Sequence, residues 1–242
     1  MKLAALYSPF TSFCEGPEDI ENGYELFFLF HRRNFYKYLP EDRNTRILVV
    51  SSGVGYFQSS LKHWGFKDVL GIDSDPEKVQ YAVRKGFESR CENCFEFLDD
   101  KVGWYDFIFV EQEVNHLTKE EFVLFLNLCK SALKPEGRVL LSAANCANPL
   151  ISTEYPGNNV DHFLAIAENG IRQYFDLCGF CDVQVFGHDF YVLWKNPLNY
   201  IAKITTSSIH FLLRILFKVY GKNNKIFTKR LGVLAYKKEE GR

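Results

Sequence analysis

Two short stretches decide how this chain folds. Residues 46–57 read Arg-Ile-Leu-Val-Val-Ser-Ser-Gly-Val-Gly-Tyr-Phe, and residues 69–73 read Val-Leu-Gly-Ile-Asp. The apolar, β-branched run in each stretch is typical of a buried parallel strand. The small residues 51–55 between them let the backbone approach a ligand closely, because glycine adopts positive φ without strain. Residues 57–64 then predict a helix whose N-terminus faces that loop.

The acid that ends the second stretch indicates a nucleoside cofactor. Asp73 follows Gly53 by 20 positions, and a carboxylate at the tip of a second strand is well placed to bind both hydroxyls of a ribose. A dinucleotide fingerprint would need a third glycine three positions after Gly55, where this chain has Gln58. The sequence therefore favours a nucleoside cofactor other than a dinucleotide.

Five segments, in order along the chain, resemble the motifs of class I S-adenosylmethionine-dependent methyltransferases. The loop above is similar to the first motif, and residues 69–82 are similar to the second. Residues 92–98, 105–110 and 133–141 resemble the third motif, the fourth strand, and the turn with the fifth strand. The resemblance implies an α/β fold with a doubly wound, Rossmann-like, seven-stranded and mostly parallel sheet, an N-terminal lid helix and a C-terminal helical extension.

The same resemblance implies the residues of an S-adenosylmethionine site. The loop would hold the methionine moiety, Asp73 the ribose, and Asn93 with Cys94 the adenine edge. The family usually has an acid where this chain has Val49 and a glycine where it has Ser51, and that acid commonly helps to hold the methionine ammonium. An inactive methyltransferase-fold scaffold or partner subunit is therefore an alternative. The candidate cofactor residues are Ser51, Ser52, Gly53, Gly55, Asp73, Ser74, Asn93, Cys94 and Glu111.

The sequence predicts three segments along the chain. The N-terminal segment 1–45 contains a predicted helix over 17–39 with one broad apolar stripe. The family resemblance implies that this helix lies over the cofactor as a lid that includes Tyr24, and the alternative is that the stripe only packs on the sheet. The methyltransferase domain itself is predicted over 46–194, with residues 190–194 among its strands.

The C-terminal segment, 195–242, is basic and amphipathic. It has eleven Lys or Arg and two Glu, a net charge of +9, whereas the preceding residues carry −10. Apolar residues recur at helical spacing from Leu198 to Tyr220, as one helix or as a pair interrupted near Thr205–Ser208. Such a helix can lie in an anionic membrane interface. The alternatives are packing against the body or against a second copy in a homodimer.

Composition favours a reducing compartment. The seven cysteines are an odd number, which argues against a disulfide framework. The pairs Cys91/Cys94 and Cys178/Cys181 lie too far apart for a zinc ribbon, so no metal is predicted. No apolar run is long enough to span a bilayer, and the N-terminal residues do not resemble a secretory signal. We therefore expect a cytoplasmic protein, with peripheral contact at the inner face of the membrane as an option for its tail.

Two histidines are candidates for a general base. His116 follows the fourth strand and His162 lies in the loop after the fifth. Ligands of open α/β sheets bind at that carboxyl edge, and imidazole, with an unperturbed pKa of about 6.5, suits proton removal from a hydroxyl. We expect His162 to be the base, and His116 to be a second base or to orient the substrate. The candidate substrate-binding residues are Tyr24, Asn115 and Asp161.

A narrower resemblance concerns methyltransferases encoded in bacterial polysaccharide and lipopolysaccharide clusters. Asn115-His116 is similar to their Glu-His pair, and residues 145–149 to their Pro-Asn-Ala-x-x-Pro turn. Residues 160–165 with 171–173 resemble their Leu-Thr-His…Leu-Arg-Gln segment, and the tail from Trp194 to Lys238 is also similar. The resemblance implies O-methylation of a sugar hydroxyl in a surface glycan, or in an activated precursor such as a nucleotide sugar.

A methyltransferase for nucleic acid or protein is the remaining alternative. A nucleic-acid enzyme would bind phosphates through the basic tail, but the apolar residues of that tail suit a membrane or helix packing better. The fourth strand leads into Glu111-Gln112-Glu113-Val114 and lacks an Asn-Pro-Pro-Tyr type motif for exocyclic amines. We therefore predict a small-molecule or glycan acceptor and no nucleic-acid partner.

Overall fold

The structure, a computed structural model, describes residues 17–111, 113–152, 162–188 and 198–238. Its strands are β1 (Ile47–Val50), β2 (Val69–Asp73), β3 (Ser89–Cys91), β4 (Tyr105–Glu111), β5 (Leu133–Ala144), β6 (Phe180–His188) and β7 (Arg230–Lys237). Its helices are α1 (Pro17–Asn34), α2 (Tyr56–His63), α3 (Pro76–Arg84), α4 (Cys94–Asp99), α5 (Lys119–Ala132), α6 (Glu168–Leu177) and α7 (Leu198–Val219). Short 3-10 turns lie at Tyr36–Tyr38 and Glu113–His116.

The strands form one seven-stranded sheet in the order β3-β2-β1-β4-β5-β7-β6. Strand β7 is antiparallel to both of its neighbours, and the other pairs are parallel. The order reverses between β1 and β4, and open α/β sheets bind ligands beside such a reversal, at the carboxyl ends of the strands. The predicted doubly wound, mostly parallel sheet is confirmed.

The two faces of the sheet enter two separate cores. Val50 and Val110 pack with α4, α5 and α6 on one face, whereas Val49 and Phe109 pack with α1 and α2 on the other. This alternation follows from the two-residue repeat of a strand. It assigns Glu111, two residues after Phe109, to the α1 face at the carboxyl edge.

The main difference from the sequence prediction lies near the C-terminus. Residues 195–242 are predicted as a helical tail, but Arg230–Lys237 form β7, which is inserted between β5 and β6. The strand is buried at Leu231, Val233 and Leu234, because it pairs with β5 and its apolar side chains enter both cores. The predicted strand at 190–194 falls outside the described residues.

The two added helices also differ in detail from prediction. Helix α1 ends at Asn34 instead of continuing to residue 39. Helix α7 runs without interruption through Thr205–Ser208, and there the Thr206 and Ser208 hydroxyls donate to carbonyls of the preceding turn (2.8 and 3.0 Å). Within the described ranges, no helix has the length and hydropathy needed to cross a bilayer.

Candidate active site

The loop between β1 and α2, residues 51–55 (the glycine loop), has the backbone of a ligand cradle. Gly53 and Gly55 have positive φ (55° and 91°), and so does Ser51 (55°). A Cβ on Gly55 would lie 2.6 Å from the ring of Phe87, whereas a Cβ on Gly53 would meet nothing within 4 Å. The loop is therefore packed on one side and leaves open space beside Gly53.

Asp73 is held against this loop by backbone donors. Its Oδ2 accepts from the Gly53 N–H at 2.8 Å, and its Oδ1 accepts from the Asp75 N–H at 2.9 Å. Each carboxylate oxygen has about two lone-pair sites, so each can accept a second hydrogen bond. The capacity of the Asp73 carboxylate is therefore not exhausted by these two backbone bonds, and its role as the ribose ligand stays a prediction.

The residues around the loop are compatible with a methionine-containing nucleoside. The hydroxyl of Ser52 is buried and has no hydrogen-bond partner in the described part of the chain, although buried polar groups are usually bonded. A ligand with polar groups, seated beside Gly53, would satisfy it. Tyr24 of α1 borders the same place, since its hydroxyl donates to the Val54 carbonyl at 2.6 Å. Burial raises the pKa of Tyr24, which keeps its hydroxyl a donor.

The residues of the third motif have local roles of their own. Asn93 is the N-cap of α4, and its Oδ1 accepts from the Phe95 N–H at 2.9 Å. Cys94 begins that helix and is half-buried, and Ser74 is exposed next to Asp73. All three follow β2 or β3 at the carboxyl edge, where we expect Asn93 and Cys94 to line the adenine and Ser74 to contact the cofactor. Asn93 also has a structural role, because its side chain caps α4.

The two candidate bases lie side by side. The ring centroids of His116 and His162 are 4.8 Å apart, with an interplanar angle of 65°. The backbone carbonyl of Asn115 accepts from the N–H groups of Phe163 (2.9 Å) and Leu164 (3.2 Å). These bonds tie the segment after β4 to the segment that precedes α6. Asp161 is not among the described residues, so its contact with His162 stays a prediction.

A buried group of charged residues beneath α1 was not apparent from the sequence. Glu111 lies between His31, whose Nε2 is 3.5 Å from its Oε2, and Arg230, whose Nη1 is 3.6 Å from its Oε1. These three side chains are at most 14% exposed. His188 of β6 belongs to the same group and contacts the Ser142 hydroxyl at 3.1 Å. We refer to Glu111, His31, Arg230 and His188 as the charge cluster.

The cluster shifts the pKa values of its members. Burial by itself would raise the pKa of the Glu111 carboxyl, but the adjacent His31 ring, with the charge of Arg230, holds it below its ordinary value. Burial, and then repulsion from Arg230, lowers the pKa of His188 to about 3. At neutral pH the cluster therefore contains a charged Glu111 and a neutral His188.

Side chains of the types that bind metals are not clustered in the described part of the chain. No set of three or more His, Cys, Asp or Glu side chains in the described ranges is arranged to bind a metal ion. The six cysteines in those ranges, which include both pairs with metal-like spacing, are free thiols.

Comparison with known proteins identifies the central part of the chain. Residues 48–141 match the methyltransferase domain family. A polyamine aminopropyltransferase of Oceanobacillus iheyensis is 28% identical over 120 residues, and the match covers 41% of this chain and 23% of that protein. The matched region thus spans less than a quarter of the length of this curated relative.

Solved structures resemble the whole chain at low identity. A SAM-dependent methyltransferase from Archaeoglobus fulgidus superposes with a TM-score of 0.67 at 18% identity, over 88% of this chain and 94% of that one. A Haloferax volcanii methyltransferase, solved in complex with the methyltransferase activator Trm112, has a TM-score of 0.65 at 12% identity. The match covers 92% of this chain and 95% of that one. The phosphoethanolamine N-methyltransferase 2 of Haemonchus contortus, bound to S-adenosyl-L-methionine, has a TM-score of 0.57 at 13% identity. The match covers 96% of this chain and 61% of that one.

These similarities agree with the sheet order, the glycine loop and the position of Asp73. The chain has the class I methyltransferase fold, and its residues 48–141 match the methyltransferase domain family.

Proposed function

We propose that this protein is an S-adenosylmethionine-dependent O-methyltransferase for a hydroxyl of a sugar or glycan-linked group in bacterial surface polysaccharide biosynthesis. The observation that carries the proposal is the contact between His116 and His162 (4.8 Å between centroids). Both follow strands whose carboxyl ends share an edge with the glycine loop and Asp73. A hydroxyl acceptor needs a base, because its proton must leave as the oxygen attacks.

When bound, the cofactor supplies the methyl group, and the chain supplies the binding contacts. In our proposal the glycine loop holds the methionine moiety and Asp73 accepts from the ribose hydroxyls. Asn93 and Cys94 would form the adenine side, and Ser74 would be a further cofactor contact. Tyr24 joins α1 to the loop through the Val54 carbonyl (2.6 Å), so α1 would cover the bound nucleoside. This arrangement excludes water and fixes the direction of the transferred group.

Glu111 is our candidate for the negative charge that Val49 does not provide. Val49 is paired in register with Phe109, and Glu111 follows on the same face of the neighbouring strand, closer to the carboxyl edge. Its lowered pKa keeps it ionised. A carboxylate at this position supports binding of the methionine ammonium and argues against the inactive-scaffold alternative.

The acceptor is proposed to lie against His162. His162 would accept the proton of that hydroxyl while the bound cofactor supplies the methyl group to the oxygen. His116, in contact with the His162 ring, would orient the substrate or serve as a second base, and Asn115 and Asp161 remain candidate substrate contacts. The choice of a sugar rests on the resemblance to enzymes of polysaccharide clusters.

The test is a methyl-transfer assay with a panel of nucleotide sugars, comparing His162→Ala and His116→Ala with the wild-type protein. We expect His162→Ala to lower kcat about 10²–10⁴-fold at saturating acceptor and to leave the affinity for S-adenosylmethionine unchanged. His116→Ala should raise KM if this residue orients the substrate. His63→Ala is the matched control, because His63 is exposed at the end of α2. Full turnover by His162→Ala would rule out the proposed base.

A further inference from the structure

The apolar side of α7 faces away from the protein. A helix of about 3.6 residues per turn places Ile201, Ile204, Leu212, Ile215 and Val219 on one side. Their exposed fractions are 62%, 69%, 57%, 46% and 77%. Contiguous apolar surface of this kind is rare on a monomeric protein and marks a surface that another molecule covers.

The other side of α7 is attached to the body. His210 is buried, and the ring of Phe217 lies 4.6 Å from that of Phe227. Arg214 Nε donates to the Lys225 carbonyl at 2.8 Å, beyond the end of the helix. The outward direction of the apolar side is therefore determined by contacts along the opposite side, and the helix cannot turn to bury its apolar residues without breaking them.

The charges around α7 are mostly positive. Residues 195–238 include ten Lys or Arg and no Asp or Glu. Beside the helix, a groove of about 710 Å³ has one acidic lining residue, Glu168, which accepts from the Lys225 N–H at 3.1 Å. The cationic residues that line the groove are Arg172, Arg214, Lys218, Lys222 and Lys225. An anionic surface complements this groove.

Helix α7 also lies at the edge of the sheet that carries the candidate active site. It connects the end of β6 to the start of β7, and in the sheet Arg230 pairs with both His188 and Ala144 at the carboxyl end of β5. Asn148 Nδ2, in the segment after β5, donates to the Phe227 carbonyl at 2.8 Å. The segment that leads out of α7 is thus bound directly to the segment that follows β5.

We propose that α7 docks the protein on an anionic phospholipid bilayer. The helix lies in the plane of the interface, with its apolar side among the acyl chains and the basic groove against lipid phosphates. A second copy of the chain is a poorer occupant, because pairing two such helices would bring only Lys and Arg flanks together. The inference rests on the proposed function. If the enzyme works at the bilayer surface, its acceptor is a hydroxyl of a glycan attached to a membrane lipid.

The test is co-sedimentation of the full chain with vesicles of phosphatidylcholine mixed with phosphatidylglycerol, and with vesicles of phosphatidylcholine alone. We expect binding to the mixed vesicles to be at least about tenfold tighter and to weaken as salt is added. The double variant Ile204→Asp with Leu212→Asp should lose about tenfold or more of that binding. Leu177→Asp is the matched control, because Leu177 is 73% exposed on α6 and should bind as the wild-type chain does.

Failure of the folded wild-type protein to bind the anionic vesicles would overturn the inference whatever the variants do. A lipid-free dimer that becomes monomeric in the double variant would overturn it too, because a second copy would then cover the helix. Calorimetry with S-adenosylmethionine on the same preparations separates the two proposals. Vesicle binding without cofactor binding would reject the proposed function alone, and cofactor binding without vesicle binding would reject the docking alone.

Discussion

The two halves of the carboxyl edge are built in different ways. Around β1 and β2 the site consists mainly of backbone, since the N–H groups of Gly53 and Asp75 hold the Asp73 carboxylate. Around β4, β6 and β7 it consists of side chains from distant parts of the chain, with Glu111 between His31 and Arg230. The first half has an open side beside Gly53, and the second is enclosed under α1.

This difference predicts where the molecule is sensitive to change. A backbone cradle loses a contact or gains some strain when a residue is replaced, and the fold persists. A buried ion pair that loses one partner leaves the other charge uncompensated, which costs far more. The charge cluster should therefore dominate stability and its pH dependence, while the glycine loop should dominate cofactor affinity.

The largest expected effect is that of Glu111→Gln. The substitution keeps the shape of the side chain but leaves Arg230 and His31 without their carboxylate. We expect the free energy of unfolding to fall by about 3–5 kcal/mol, measured by urea denaturation at neutral pH. The affinity of the remaining folded protein for S-adenosylmethionine should fall about tenfold if Glu111 also binds the methionine ammonium.

Asp68→Asn is the control for this substitution. Asp68 Oδ2 lies 2.8 Å from Arg46 Nε, a shorter distance than any in the cluster, but the two side chains are 45% and 46% exposed. Exposed ion pairs contribute less than about 1 kcal/mol. Equal losses of stability in Asp68→Asn and Glu111→Gln would mean that burial does not increase the contribution of the cluster's ion pairs to the free energy of unfolding.

A smaller effect is expected from acidification. Because the pKa of His188 is about 3 in the folded protein and 6.5 otherwise, only the unfolded chain binds this proton at intermediate pH. The contribution of the neutral His188 to the free energy of unfolding is therefore fully present above pH 6.5. It decreases below that pH and is smaller by about 2 kcal/mol at pH 5. Glu111, with a lowered pKa, contributes in the same direction but only below about pH 4.5.

Urea denaturation of His188→Gln at pH 7 and pH 5 measures how much His188 contributes to the pH dependence of stability. The variant should lose less stability between the two pH values than the wild-type protein. His63→Gln, which removes an exposed histidine, should retain the wild-type dependence. An unchanged dependence in His188→Gln would show that its imidazole is not held neutral by burial.

The smallest effect is expected in the glycine loop. Ser51 has a φ of 55°, a conformation that costs a residue with a Cβ about 1 kcal/mol or more. Ser51→Gly and Ser51→Ala both remove the hydroxyl, so the difference in stability between the two variants measures the cost of the positive φ for a residue with a Cβ. We expect the glycine variant to be more stable by about 1 kcal/mol in thermal or urea denaturation. Equal stability of the two variants would contradict the strained loop.

The parts of the fold that the sequence reveals are those made by local patterns. The strand, loop, helix, strand and acid of residues 46–73 predict the sheet and its cofactor side because they follow one another directly in the sequence as a recognisable pattern. His116 and His162 could be assigned to one edge because each follows a strand, although their ring contact could not be predicted. Strand β7 was not predicted, since it forms by adding to the free edge of β5 after a long helix.

The charge cluster shows why the rest of the site could not be predicted. His31 belongs to α1 and Arg230 to β7, nearly at opposite ends of the chain, and only the tertiary fold brings both to Glu111. Nothing in the residues around either one distinguishes it from an ordinary surface cation. An acid directly after a central strand, with no neighbour of opposite charge in sequence, was the one available signal.

Titration calorimetry with S-adenosylmethionine and S-adenosylhomocysteine tests the central claim most directly. We predict micromolar binding by the wild-type protein and a loss of about 100-fold in Asp73→Asn, which removes the charge that we propose accepts from two ribose hydroxyls. Asp75→Asn should bind normally, because Asp75 caps α3 through Oδ1 and the Glu77 N–H (3.0 Å). A folded wild-type protein that does not bind at millimolar cofactor would contradict the claim and favour the inactive scaffold.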